Sequence, residues 1–111
     1  MSETAPVASD LGTGPLPVVV DSSFEPLIPK FMANRTKEII TMTDAVDKQD
    51  FDTIKQVAHG MKGVSGSYGF HAMTTIAGHV EAAAKVADDA SIRKHLATLA
   101  AYLERVQITY E

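Results

Sequence analysis

The sequence predicts an all-α fold, an antiparallel four-helix bundle with a short N-terminal docking segment. Apolar residues recur at intervals of three and four along four stretches of the chain. Aromatic residues make up only 6% of the 111 residues, and tryptophan is absent, so the core is expected to consist of Ala, Val, Ile, Leu and Met. Such a core suits closely packed helices, and the short connections between the stretches favour antiparallel neighbours.

The domain limits follow from the composition along the chain. Residues 1–14 mix Ser, Thr, Gly, Pro and Ala without periodicity, and we interpret them as a flexible tail. Residues 15–111 are predicted to form one helical domain, since this length supports a single core. Leu16-Pro-Val-Val-Val20 has the composition of a strand. No second strand-like run is recognised to pair with it, so an extended docking segment is expected.

The helices are predicted from their apolar positions and their caps. The apolar positions predict helices over about 27–46, 51–67, 73–87 and 92–106. Ser22 with Glu25 has the spacing of a capping box, and Asp50 and Ser91 are candidate caps of the second and fourth helices. Gly69 is suited to the left-handed residue that closes many helices, so the second helix is expected to end there.

Composition and charge exclude several function classes. The formal charge of −4, with scattered Lys and Arg, argues against nucleic acid as a partner, because phosphate binding needs a clustered basic face. No segment approaches the ~18 consecutive apolar residues of a membrane span, and no export signal is recognised. The absence of cysteine excludes thiolate metal sites and agrees with a cytoplasmic location. Proteins or small molecules are therefore the expected partners.

Four of the seven glycines fall in the stretch VAHGMKGVSGSYGF, residues 57–70. Glycine in a helix interior costs about 1 kcal/mol relative to alanine, so their concentration needs a reason. A nucleotide-binding loop is excluded because Lys62 is followed by Gly63 where a P-loop has Ser or Thr. The spacing of three also never gives the Gly-x-Gly of a dinucleotide site. The glycines therefore belong to a helix and its end.

A helical arrangement gives these glycines a role around His59. At ~100° per residue His59 lies about 140° from the centre of the apolar stripe, so its ring is predicted to project into solvent. Gly63 and Gly66 share its face and leave a cleared patch that a protein or a phosphoryl group can approach. Lys62, three residues on, can place an ammonium beside an anion on the ring. Lys55, four residues before, can add a second positive charge.

Two structural alternatives remain open at this point. A surface histidine commonly has no function, and close helix contact could use Gly60 or Gly66. Gly60 lies off the His59 face, and the sequence offers no reason for it. His71, His79 and His95 lack the spacing of metal ligands, so no metal site is predicted and they are interpreted as surface histidines. For His95, which neighbours the apolar positions Ile92 and Leu99, the alternative is a boundary histidine with a local hydrogen bond.

The motif resembles that of the histidine-containing phosphotransfer (HPt) family of two-component phosphorelays. The family pattern is His-x-hydrophobic-Lys-Gly, five variable positions and Gly, and residues 59–63 read His-Gly-Met-Lys-Gly before Gly69. Met61 replaces the more usual Leu or Ile. The resemblance extends from roughly residue 27 to 106, because the order and lengths of the predicted helices match the family's bundle.

The resemblance implies roles for four residues. His59 would accept a phosphoryl group from a receiver phospho-aspartate and donate it to another receiver. Lys62 would offset the phosphate charge, and Gly63 would leave space for the receiver. The family often has Gln near the histidine on the following helix; the equivalent residue here is Glu81, which we interpret as orienting the unmodified ring.

The same resemblance implies partners and cofactors. The expected partners are response-regulator receiver domains and a hybrid histidine kinase. No cofactor is expected on this chain, and Mg²⁺ is expected on the receiver. The chain would be a phosphoryl carrier without autonomous kinase activity. The alternative is a non-phosphorylated adaptor of the same fold. A start at Met1 favours a free-standing domain, although a domain cut from a hybrid kinase would look the same.

Overall fold

The computed structural model describes residues 14–111. The predicted tail, except for its last residue, lies outside this range. In chain order the elements are β1 (Leu16–Val20), a 3₁₀ helix (Ser22–Leu27), α1 (Ile28–Asp47), α2 (Phe51–Ser67), α3 (His71–Lys85), α4 (Asp89–Arg105) and β2 (Val106–Tyr110). The four predicted helices are confirmed, and the two-stranded sheet is an addition to the predicted all-α fold.

The four helices surround one core. α1 packs against α2 and α4, and α3 packs against α2 and α4, so the bundle closes on itself. On α2 the buried residues Ile54, Ala58, Met61 and Ser65 follow the predicted spacing of four and three. The antiparallel order of the helices stays a prediction. Within residues 14–111, no helix combines the length and apolar character needed to cross a membrane.

Local contacts fix both ends of α2. The Asp50 carboxylate accepts a hydrogen bond from the Thr53 backbone N–H at 3.2 Å, which confirms the predicted cap. Gly69 has φ +93°, a left-handed conformation that disfavours residues with a side chain, and its N–H donates to the Gly66 carbonyl at 3.1 Å. The predicted closing role of Gly69 is therefore confirmed, and α3 begins two residues later.

The predicted cap of α1 is wrong. The Asp21 carboxylate accepts from the Ser23 backbone N–H at 2.8 Å and caps the 3₁₀ helix. Pro26 lies inside this 3₁₀ helix, and α1 follows it directly at Ile28 without a side-chain cap. A carboxylate is a stronger acceptor than the Ser22 hydroxyl for the backbone N–H groups of a first turn.

The predicted start of α4 is also wrong, for the same reason. The Asp88 carboxylate accepts from the Ser91 backbone N–H at 3.2 Å and from the Ser91 hydroxyl at 2.8 Å, so Ser91 is inside the first turn. The preceding helix ends at Lys85 rather than at Ala87, which has φ +54° and reverses the chain. A carboxylate at this position fits the positive N-terminal end of a helix.

The sheet corrects two predictions at the chain ends. β1 does have a partner, since it pairs in parallel with β2, with Leu16 opposite Val106 and Val20 opposite Tyr110. The last helix ends at Arg105, and Val106 belongs to β2. In β2 half-buried residues alternate with exposed ones, a period of two that the continuation of the α4 stripe concealed. Two such strands are marginal alone and depend on the bundle to bring them together.

Candidate functional site

His59 lies on the side of α2 that faces away from the core. Its side chain is 70% exposed, whereas the neighbouring Ala58 and Met61 are fully buried. The predicted projection of the ring into solvent is confirmed. The orientation follows from the helical period alone, because the apolar stripe of α2 fixes which residues face outward.

One ring nitrogen of His59 is held by Glu81 of α3. Glu81 is buried, and its Oε2 lies 3.0 Å from His59 Nδ1. An ionised carboxylate can only accept hydrogen bonds, so this network assigns the proton to Nδ1 of the neutral ring. The Nε2 atom then keeps its lone pair and is the nucleophilic nitrogen. This geometry agrees with the orienting role expected for Glu81.

Lys62 contacts the other oxygen of the same carboxylate. Its Nζ donates to Glu81 Oε1 at 2.7 Å, and its side chain is 38% exposed. The Lys62 hydrogen bond holds the pKa of Glu81 below its usual value against the opposing effect of burial, and the His59 hydrogen bond adds to the lowering. Glu81 is therefore ionised at neutral pH, with one oxygen on each partner.

The glycines of α2 divide into two groups. A Cβ built on Gly63 or on Gly60 would meet no other atom within 4 Å, so both lie against open space. A Cβ on Gly66 would lie 3.3 Å from the Thr74 hydroxyl of α3. Gly66 therefore lies at a close contact between α2 and α3, which was one of the structural alternatives, and not on the open patch predicted around His59. Nothing in the structure explains why residue 60 is glycine.

Lys55 borders the site from the other side of His59. It lines a cavity of about 370 Å³ with Gln56, His59 and Glu81. Its Nζ lies 3.4 Å from Asp52 Oδ1, one turn back on the same helix. The second positive charge expected beside the ring is therefore shared with a carboxylate.

The other histidines lie apart from this site. Within residues 14–111, no group of three or more His, Asp and Glu side chains is arranged to hold a metal ion. The rings of His79 on α3 and His95 on α4 are in contact, with centroids 5.1 Å apart. His71 is exposed at the start of α3. The His79–His95 contact was not predicted, because the sequence does not show which faces of two helices meet.

Sequence reasoning missed two residues of α3 that contact Lys62. The Thr74 hydroxyl donates to the Lys62 carbonyl at 3.1 Å, and a Cβ on Gly78 would lie 3.5 Å from Lys62 Cδ. Thr74, Gly78 and Glu81 follow one another at intervals of four and three, the spacing of one helix face. This spacing can be recognised in the sequence. It points to Lys62 only once it is known that this face of α3 meets α2.

Comparison with protein families gives one match. The model of the Hpt domain family matches residues 27–109, well over half of the chain, and this range includes His59, Lys62 and Glu81. Comparisons with curated proteins and with solved structures gave no match. The matched range, the helical bundle and the exposed histidine of α2 agree with one another. The chain belongs to the Hpt domain family.

Proposed function

We propose that this protein is a histidine phosphotransfer protein of a phosphorelay. His59 accepts a phosphoryl group from the phospho-aspartate of one receiver domain and passes it to a second receiver. The observation that carries the proposal is the exposed His59 ring with Nδ1 held on the Glu81 carboxylate, 3.0 Å away. This arrangement directs the free lone pair of Nε2 away from the Glu81 carboxylate.

In the forward step the Nε2 lone pair attacks phosphorus. The bond between phosphorus and the aspartate oxygen breaks, its electron pair leaves on the carboxylate, and a P–Nε2 bond forms. The ring keeps its Nδ1 proton and gains a positive charge, which the adjacent Glu81 carboxylate stabilises. In the second transfer the P–Nε2 electron pair returns to the ring as the next aspartate takes the phosphoryl group.

The proposal also accounts for a carboxylate beside a group that becomes phosphorylated. Glu81 contacts Nδ1, whereas the phosphoryl group is carried on the other ring nitrogen. Lys62 pairs with Glu81 at 2.7 Å and compensates negative charge at the site. Gly63, with open space around it, leaves room for the receiver.

Everything else that the transfer needs is assigned to the partners. The receiver supplies Mg²⁺ and its carboxylate ligands, so catalysis by this chain consists of positioning and charge compensation. The chain acts as a cytoplasmic carrier without kinase activity of its own. A hybrid histidine kinase is the proposed source of the phosphoryl group, and neither nucleic acid nor a membrane is a proposed partner.

The test is transfer from a radiolabelled phosphorylated receiver to the full chain. Acid-labile label is expected on the wild type and on the control His71→Ala, which removes an exposed histidine outside the site, and is expected to be absent from His59→Ala. Label retained by His59→Ala contradicts the assignment of the acceptor. Receiver binding without transfer to the wild type, from any phosphorylated receiver of the host, supports the adaptor instead.

A further inference from the structure

The side chain of Lys62 reaches Glu81 by crossing α3 at Gly78. A Cβ on Gly78 would lie 3.5 Å from Lys62 Cδ, and Lys62 Nζ donates to Glu81 Oε1 at 2.7 Å. Gly78 and Glu81 are three residues apart on one face of α3. The lysine stem therefore passes over the glycine before its ammonium meets the carboxylate one turn further on.

The backbone at position 78 does not itself require glycine. Gly78 lies inside α3, and it is not among the described glycines with positive φ, which are Gly14 and Gly69. Glycine is less favourable than alanine in a helix interior. What distinguishes position 78 is its surroundings, where Lys62 is the nearest neighbour that a Cβ would meet.

The space at Gly78 has a definite size. A methyl group at 3.5 Å from Lys62 Cδ would make an ordinary van der Waals contact. A branched side chain carries further carbons beyond that distance, and these would occupy the path of the lysine stem. Alanine therefore fits beside Lys62, and valine is expected to displace the lysine stem.

We propose that Gly78 is a positioning residue of the phosphoacceptor site, which lets Lys62 lie across α3 and hold Glu81 in place against Nδ1 of His59. The residue acts through two others, since it leaves open the space beside Lys62 Cδ, Lys62 pairs with Glu81, and Glu81 holds the ring. The consequence for phosphoryl transfer rests on the proposed function, whereas the effect on Glu81 does not.

The first test is the titration of the Glu81 carboxyl group, followed by carbon-13 NMR. The hydrogen bond from Lys62 is the main cause that lowers the pKa of Glu81. Gly78→Val is expected to raise the titration midpoint by as much as Lys62→Met, which keeps a long apolar stem and removes the ammonium. The double variant is expected to show no further rise beyond Lys62→Met, because both changes break the same contact.

Two controls separate this effect from a general disturbance of α3. Gly78→Ala is expected to titrate as the wild type does, since a methyl group fits. Ala82→Val introduces a branched residue at an exposed position of the same helix and is also expected to leave Glu81 unchanged. A wild-type midpoint in folded Gly78→Val overturns the proposal, as does an equal rise in Ala82→Val.

A second measurement uses the wild-type protein and does not depend on the folding of a variant. Nuclear Overhauser contacts between the Gly78 α protons and the Lys62 δ protons are expected in the wild type. Their absence from a spectrum that resolves both resonances overturns the proposal.

Phosphoryl transfer supplies the functional test. Transfer from a phosphorylated receiver is expected to fall in Gly78→Val by the same factor as in Lys62→Met, up to about 100-fold, and to be retained in Gly78→Ala. Normal transfer in Gly78→Val, with a shifted Glu81 titration, overturns the positioning role. If even the wild type accepts no phosphoryl group, the proposed function fails, while the titration still decides whether Gly78 positions Lys62.

Discussion

The two sides of α2 around His59 use the same residue type for opposite purposes. On the open side, Gly63 has nothing within 4 Å of its missing side chain. On the side facing α3, Gly66 lies where a Cβ would be 3.3 Å from the Thr74 hydroxyl. The absence of a side chain at Gly63 leaves open space, whereas its absence at Gly66 leaves room for Thr74 where α3 packs against α2.

This difference divides the site into an exposed half and an enclosed half. The His59 ring is 70% exposed, so a large partner can reach it. The Glu81 side chain is only 10% exposed, and its contacts with His59 and Lys62 are less weakened by water than surface ion pairs are. The proposed phosphoryl carrier needs both properties, because the His59 ring must be reached while its orientation is kept.

The largest expected effect is on the free energy of unfolding, and it distinguishes the buried face of α2 from its exposed face. Met61→Ala removes a fully buried side chain and is expected to lower the free energy of unfolding by about 2–5 kcal/mol. His59→Ala removes an exposed ring and is expected to lower it by less than about 1 kcal/mol. Urea denaturation of both variants measures the difference, and equal losses would contradict the placement of His59 outside the core.

The next largest effect concerns the exposed half of the site alone. Gly63→Leu is expected to lower the rate of phosphoryl transfer by roughly 10- to 100-fold, because a side chain there displaces the receiver from its productive position. The helical content is expected to stay at the wild-type level in circular dichroism. Gly66→Leu is the matched variant, and its main expected effect is a loss of stability through collision with α3. Unchanged transfer in folded Gly63→Leu would show that the open space has no role.

The smallest effect concerns the enclosed half and its dependence on pH. Because the folded protein lowers the pKa of Glu81, the unfolded state binds the proton more readily. The resulting stabilisation is fully present above the ordinary pKa of glutamate, about 4.3, and is lost as the pH falls through the lower pKa of Glu81 in the folded protein.

Comparison with Glu81→Gln isolates this contribution. The difference in unfolding free energy between the wild type and Glu81→Gln is expected to be constant from pH 7 to about 5 and to change in favour of the variant below about 4.3. Urea denaturation across this range measures it. A difference that stays constant down to pH 3 would mean that Glu81 is not stabilised as a carboxylate.

Much of the fold was predictable because it depends on local patterns. The apolar stripe of α2 predicted that His59 faces solvent, and Asp50 and Gly69 marked the ends of that helix. Predictions failed where two local signals compete. Asp88 caps the helix that Ser91 was expected to cap, and Asp21 caps a 3₁₀ helix where Ser22 was expected to cap α1. Val106 fits both the helical stripe and the alternation of β2.

The sequence by itself determined the helices, the exposed His59 and the motif that relates the chain to the Hpt family, because helical period and motif spacing are properties of neighbouring residues. Only the tertiary structure decided that Glu81 is shared between His59 and Lys62, that Gly66 and Gly78 lie at the contact between α2 and α3, and that β1 pairs with β2. These contacts join residues far apart in the chain. They exist only once the core has fixed which helix faces meet, and no local pattern records that choice.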